Sequence, residues 1–81
     1  MKLPRDIAGT DLVRALQRAY GYRQVHQEGS HVILQTESPR HHRIAIPAHK
    51  ALRLGTLNSS LRAVAAAQDL SKEAVAHRLF A

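Results

Sequence analysis

Leu12, Val13, Leu16, Ala19 and Tyr20 recur at helical spacing, and the pattern breaks at Gly21. This predicts a first helix with Thr10 as its N-cap and Gly21 as the glycine just past its end. From Tyr22 to Glu28 and from His31 to Thr36 the chain reads as strands, and Gly29-Ser30 between them fits a Gly-first two-residue hairpin turn of type II′. So short a turn fixes the register: Glu28 opposite His31, Gln27 opposite Val32, His26 opposite Ile33. One face of the hairpin then collects Val25, Val32 and Leu34. The other collects Gln24, His26, Glu28, His31, Ile33 and Gln35, a polar face that an antiparallel sheet can leave open to solvent while helices cover the first.

Glu37-Ser38-Pro39 marks the next turn, after which His42 to Ile46 alternates, with Ile44 and Ile46 on one face, and stops at Pro47. Beyond Gly55, Thr56 is placed to cap a helix whose apolar positions are Leu57, Leu61, Val64 and Ala65. Ser71 is placed to cap a last short helix carrying Ala74, Val75 and Leu79. The expected fold is α+β: a helix, a three-stranded antiparallel meander, then two helices.

A length of 81 residues suits one domain spanning 1–81 and leaves no room for a second core. Charge sharpens the picture. Lys and Arg number 12 against 6 Asp and Glu, for a formal net charge of +6. The imbalance is local, because no acid occurs between Ser38 and Gln68 while Arg40, Arg43, Lys50, Arg53 and Arg62 do. A surface of this kind favours a polyanionic partner, with a solvated basic face as the plain alternative. The absence of cysteine excludes a disulfide framework and thiolate metal sites and fits a reducing compartment. Met1 to Asp6 is not followed by an apolar signal region, and the longest apolar stretch, Ala63 to Ala67, is far short of a membrane span. A soluble, cytoplasmic protein without a membrane partner is expected.

Histidine supplies the candidate chemistry. Cleaving RNA through attack of a ribose 2′-hydroxyl on its own phosphate needs a base, a proton for the departing 5′-oxygen and stabilisation of the charged phosphorane. Imidazole, with an unperturbed pKa of about 6.5, suits both proton steps. His31 begins a strand beside Gly29, which has no side chain, and Ser30, which has a small one, so a backbone phosphate can approach it. A cross-strand Glu28 is positioned to hold the ring. Taken alone, Gly-Ser-His describes many surface turns with no chemistry.

Arg40, His41, His42 and Arg43, then His49 and Lys50, then Arg53, form the expected phosphate contacts, arginine by bidentate grip and lysine as a point charge. Aromatic residues are few (Tyr20, Tyr22 and Phe80), so a base-stacking platform is not indicated. His26, His31, His41, His42 and His49 also raise a metal site, but no His-Glu-x-x-His pair occurs and adjacent His41 and His42 would point to opposite faces of a strand. No metal or other cofactor is expected.

From about Thr10 to Leu70 these features resemble the HicA (YcfA-like) family of toxin-antitoxin modules: a first helix, Gly21-Tyr22, Gly29-Ser30-His31, Ile46-Pro47-Ala48-His49-Lys50 and Gly55-Thr56-Leu57, in that order and spacing. The resemblance implies a double-stranded-RNA-binding-domain-like fold with helices on one face of a three-stranded sheet. It also implies a small ribonuclease acting on messenger RNA, a catalytic histidine at His31 and a HicB-type antitoxin that covers the active site. Glu28, Asn58-Ser59-Ser60 and the tail from Ala65 to Ala81 depart from the family pattern.

The leading expectation is thus a metal-independent ribonuclease toxin: His31 as general acid or base, Gly29 and Ser30 shaping the approach, and Arg40, Arg43, His49, Lys50 and Arg53 contacting RNA. His26 or His49 is the candidate second proton-transfer group. The rival class is a non-catalytic module that recognises duplex RNA by shape. A helix-turn-helix reading of the last two helices ranks third, since Lys72, Glu73, His77 and Arg78 offer little to read base edges. In a further reading the basic face serves to meet an acidic protein partner, a role compatible with silencing by an antitoxin.

Overall fold

Alternation along His31–Thr36 (β2) buries Val32, Leu34 and Thr36, the face that the sequence pattern assigns to the core. The computed structural model describes residues 3–81. Around β2 it places α1 (Gly9–Tyr20), β1 (Arg23–Glu28), β3 (His42–Pro47), α2 (Leu54–Gln68) and α3 (Lys72–Phe80), which is the predicted helix–meander–helix–helix order. The sheet runs β1-β2-β3 with both pairs antiparallel. Leu12 and Leu16 of α1, Leu34 of β2, Ile46 of β3, Leu57, Leu61 and Val64 of α2 and Val75 of α3 form the fully buried centre of one hydrophobic cluster. At about 1.5–3 kcal/mol for each such side chain, this burial is the main favourable term in folding.

The hairpin has the predicted register, with Glu28 opposite His31, Gln27 opposite Val32 and His26 opposite Ile33. Gly29 carries the positive φ, 58°, that a Gly-first turn requires. Further along β1 the pattern shifts. Gln24 already pairs with Leu34, leaving Val25 as an extra residue in a bulge. Val25 is therefore 39% exposed and does not share the core face with Val32 and Leu34, as alternation alone predicts. All six residues of β1 are exposed, so the strand extends from the core as the outer arm of the hairpin.

The helix starts differ from expectation in a related way. Thr10 lies inside α1, whose N-cap is Ala8, and Thr56 lies inside α2, whose N-cap is Arg53; neither cap makes a side-chain bond. At α1 the backbone and Asp11 act in place of a capping hydroxyl. Gly9 N–H donates to the His49 carbonyl at 2.9 Å, and the Asp11 carboxylate accepts from Ala8 N–H at 3.3 Å. Gly21 (φ 68°) closes α1 as predicted. Ser71 caps α3 by accepting from Ala74 N–H at 3.0 Å.

Backbone hydrogen bonds hold the segment after β3. Ser30 C=O accepts from Ala48 N–H (2.6 Å), His49 C=O accepts from Gly9 N–H (2.9 Å), and Ile7 C=O accepts from Leu52 N–H (2.8 Å). They tie Pro47–Leu52 to the hairpin turn on one side and to the start of α1 on the other.

Candidate functional site

His31 is exposed at the first position of the central strand, paired with Pro47 on β3 and with Glu28 on β1. Glu28 faces it as the register requires, yet the two side chains form no ion pair or hydrogen bond among the described residues. On the same open face the ladder continues through Ile33 and Ala45 to Gln35 and Arg43. Arg43 Nε and Nη2 donate to Gln35 Oε1 at 3.1 and 2.8 Å, which holds the guanidinium against the sheet.

A groove of about 400 Å³ opens beside His31, between the β3 edge and α2; Thr56, Ser59, Ser60 and Ala63 form its helical wall. These positions follow i, i+3, i+4, i+7 spacing, so they share one face of α2, adjacent to the Leu57, Leu61 and Val64 stripe that enters the core. The short side chains on that face leave the space that the groove occupies.

The structure separates the predicted phosphate contacts into groups. Gly29, Ser30, His49 and Lys50 lie at the His31 end of the sheet, joined there by the Ser30–Ala48 backbone bond. Arg53 is exposed at the start of α2, three residues before Thr56 enters the groove. Arg43 sits part-way along the open face. Arg40 lies at the opposite end, in the β2–β3 connection, beyond a strand on the order of 17 Å long. Two histidines of the basic stretch are engaged by other side chains: His41 Nδ1 lies 3.0 Å from Glu37 Oε1, and His42 Nδ1 lies 2.8 Å from the Tyr22 hydroxyl. The hydrogen bonds from His41 and Gln35 hold the Glu37 carboxyl below its usual range. Burial lowers the pKa of His42, and the charge on His41 adds to the effect.

Of the two candidates for a second proton-transfer group, His26 is the diagonal cross-strand neighbour of His31 on the open face; such pairs stand roughly 7–8 Å apart. His49 lies past the end of β3 with its carbonyl bound to Gly9. Among the described residues no three His, Cys, Asp or Glu side chains group as a metal site. Among the described residues no helix is long and apolar enough to cross a membrane.

A family model described as the HicA toxin of bacterial toxin-antitoxin matches residues 9–65, well over half of the chain. The chain belongs to the HicA toxin family. Membership makes it the toxin of a bacterial toxin–antitoxin pair and implies an antitoxin partner. No curated protein and no solved structure matches the chain at a significant level. The matched stretch runs from the glycine that begins α1 into α2 and so includes His31, the basic segment and the whole groove wall, while α3 lies outside it. Sequence reasoning misses two parts of this HicA toxin's site. Gly9 gives no periodic signal, and the groove wall reads only as a cap at Thr56 and as departures from the family pattern at Ser59 and Ser60. The spacing of those hydroxyls is visible in the sequence, but their position opposite His31 depends on how α2 packs against β3.

Proposed function

We propose that this toxin is a metal-independent endoribonuclease that cuts messenger RNA with His31 and is held inactive by a HicB-type antitoxin. The observation that carries this reading is the placement of an exposed imidazole at the mouth of a groove, with the exposed cations Lys50 and Arg53 in the segment that leads from β3 into α2.

In the proposed reaction the ribose 2′-oxygen attacks the adjacent phosphorus. The 2′-hydroxyl proton passes to a base, the bond to the 5′-oxygen breaks, and that oxygen receives a proton. The products are a 2′,3′-cyclic phosphate and a 5′-hydroxyl end. His31 takes one of the two proton steps, and His26 or His49 takes the other. Lys50 and Arg53 oppose the charge that builds on the phosphorane, and Gly29 and Ser30 keep the approach low. Arg43 and Arg40 extend the phosphate track along the sheet, as the messenger passes over it in the cytoplasm. The antitoxin acts by covering the same face, so antitoxin and RNA exclude one another.

Incubating the wild-type and His31→Ala proteins with a defined messenger RNA in chelator, both shown to be folded by circular dichroism, tests this reading. Fragments from the first protein and intact RNA from the second are expected. Intact RNA with both, shifted on a gel, would instead identify a non-catalytic RNA-binding module.

A further inference from the structure

The groove beside His31 has a wall that the nuclease chemistry does not use. Ser60 is only 8% exposed, and what remains accessible opens into the groove. No side-chain hydrogen bond among the described residues engages it. Its oxygen is not sealed off from the groove, so it keeps a donor and an acceptor open to a ligand there. One turn earlier half-buried Thr56 lines the same space, and exposed Ser59 lines it as well, so two more hydroxyl-bearing residues border the groove. Opposite them the lining is apolar: Ile44, Ala45 and Pro47, with Ala63 at the far end of the helical wall.

This arrangement suits a flat, amphipathic ligand whose faces are apolar and whose edges carry donors and acceptors. An unpaired nucleobase with its ribose is such a ligand. A hydroxyl can donate or accept, so it can meet a base edge or a 2′-hydroxyl, and sequence-specific RNA readers act on bases that have left the stack. The groove is shallow and open to solvent, so a base would lie along it with one edge toward the helical wall.

We propose that the groove seats one unpaired nucleotide adjoining the cut, and that Ser60, assisted by Thr56, determines which base is accepted there. The proposal rests on the nuclease reading of His31 and adds a specificity site to it. Ser60 acts on selection and takes no part in proton transfer.

The test is binding of four RNA tetranucleotides, alike except for one central base, to His31→Ala protein, so that cleavage does not enter the measurement. The same series is then run with Ser60→Ala and with Ser60→Val added to that background, each checked for an unchanged thermal melt. The His31→Ala protein should prefer one base, and Ser60→Ala should narrow that preference on the order of tenfold, the loss of about one hydrogen bond. Ser60→Val, which adds bulk to the wall, should weaken binding of all four and level them. Identical preference ratios in the parent and both Ser60 variants, or no binding of any tetranucleotide by the parent, would overturn the proposal. Cleavage of messenger RNA by wild-type protein reports on the nuclease reading separately. RNA cut by wild type with unaltered ratios in the Ser60 variants would remove the specificity site and leave the nuclease standing.

Discussion

At the scale of single residues, the six histidines of this chain divide according to what stands beside each ring. Tyr22 is 2% exposed; its hydroxyl lies 2.8 Å from His42 Nδ1, and the two rings meet edge to face at 5.9 Å. Burial disfavours the imidazolium and lowers the His42 pKa below its ordinary 6.5, with the His41 charge acting in the same direction. The unfolded chain therefore takes up this proton at a higher pH than the folded one. Stability from this site is complete above about 6.5 and is lost as pH falls through the lower folded value. Urea unfolding midpoints should drop between pH 7 and pH 5, and His42→Gln should flatten part of that drop; equal pH slopes for the two proteins would contradict the assignment. The sequence ranks these imidazoles only where the signal is local. His31 can be singled out because its turn neighbours are local in sequence. The engagement of His42 depends on Tyr22, 20 residues away, and no local pattern reveals it.

At the scale of elements, the start of α1 and the end of β3 set where the basic segment lies. A Cβ on Gly9 would collide with the Pro47 carbonyl oxygen, and the Gly9 N–H already donates to His49. Gly9→Ala should cost about 1–3 kcal/mol of stability, the usual penalty of forcing atoms into a packed contact, read as a lower urea midpoint. An unchanged midpoint would show that this junction yields easily. The same junction explains why Thr10 does not cap α1. Hydroxyl residues favour N-caps where a helix begins in solvent, but α1 begins against another backbone segment, which supplies the acceptor. Thr56 instead lies within the first turn of α2 and faces the groove. Ser71 begins α3 at an exposed position, and there the local rule holds. Likewise the turn determines the hairpin register up to His26, and only the bulge at Val25, a property of strand twist and pairing, escapes the alternation.

At the scale of the whole molecule, the fold spreads the cations of the acid-free stretch, with Lys50 and Arg53 in the segment from β3 into α2, Arg43 on the open face and Arg40 at the far end of the sheet. The helix–meander–helix–helix order is legible in the sequence because each element carries its own period and turn signals. The groove is not, because it exists only once α2 lies against the β3 edge. Binding to a polyanion through such a surface releases counterions, so RNA affinity should fall linearly with salt on logarithmic axes. Replacing Lys50 and Arg53 together by alanine should weaken binding to single-stranded RNA and reduce the slope by roughly 1.4, about 0.7 for each phosphate no longer neutralised. An unchanged slope would place the RNA elsewhere on the molecule.

The central claim is that the His31 imidazole performs a proton step in RNA cleavage, and the most direct measurement is the single-turnover rate at which folded wild-type and His31→Ala proteins cut the same RNA in chelator. A loss of about 10²–10⁴-fold, the usual contribution of a positioned acid or base, with RNA binding retained, is the predicted result. A His31→Ala protein that cuts at the wild-type rate would contradict it.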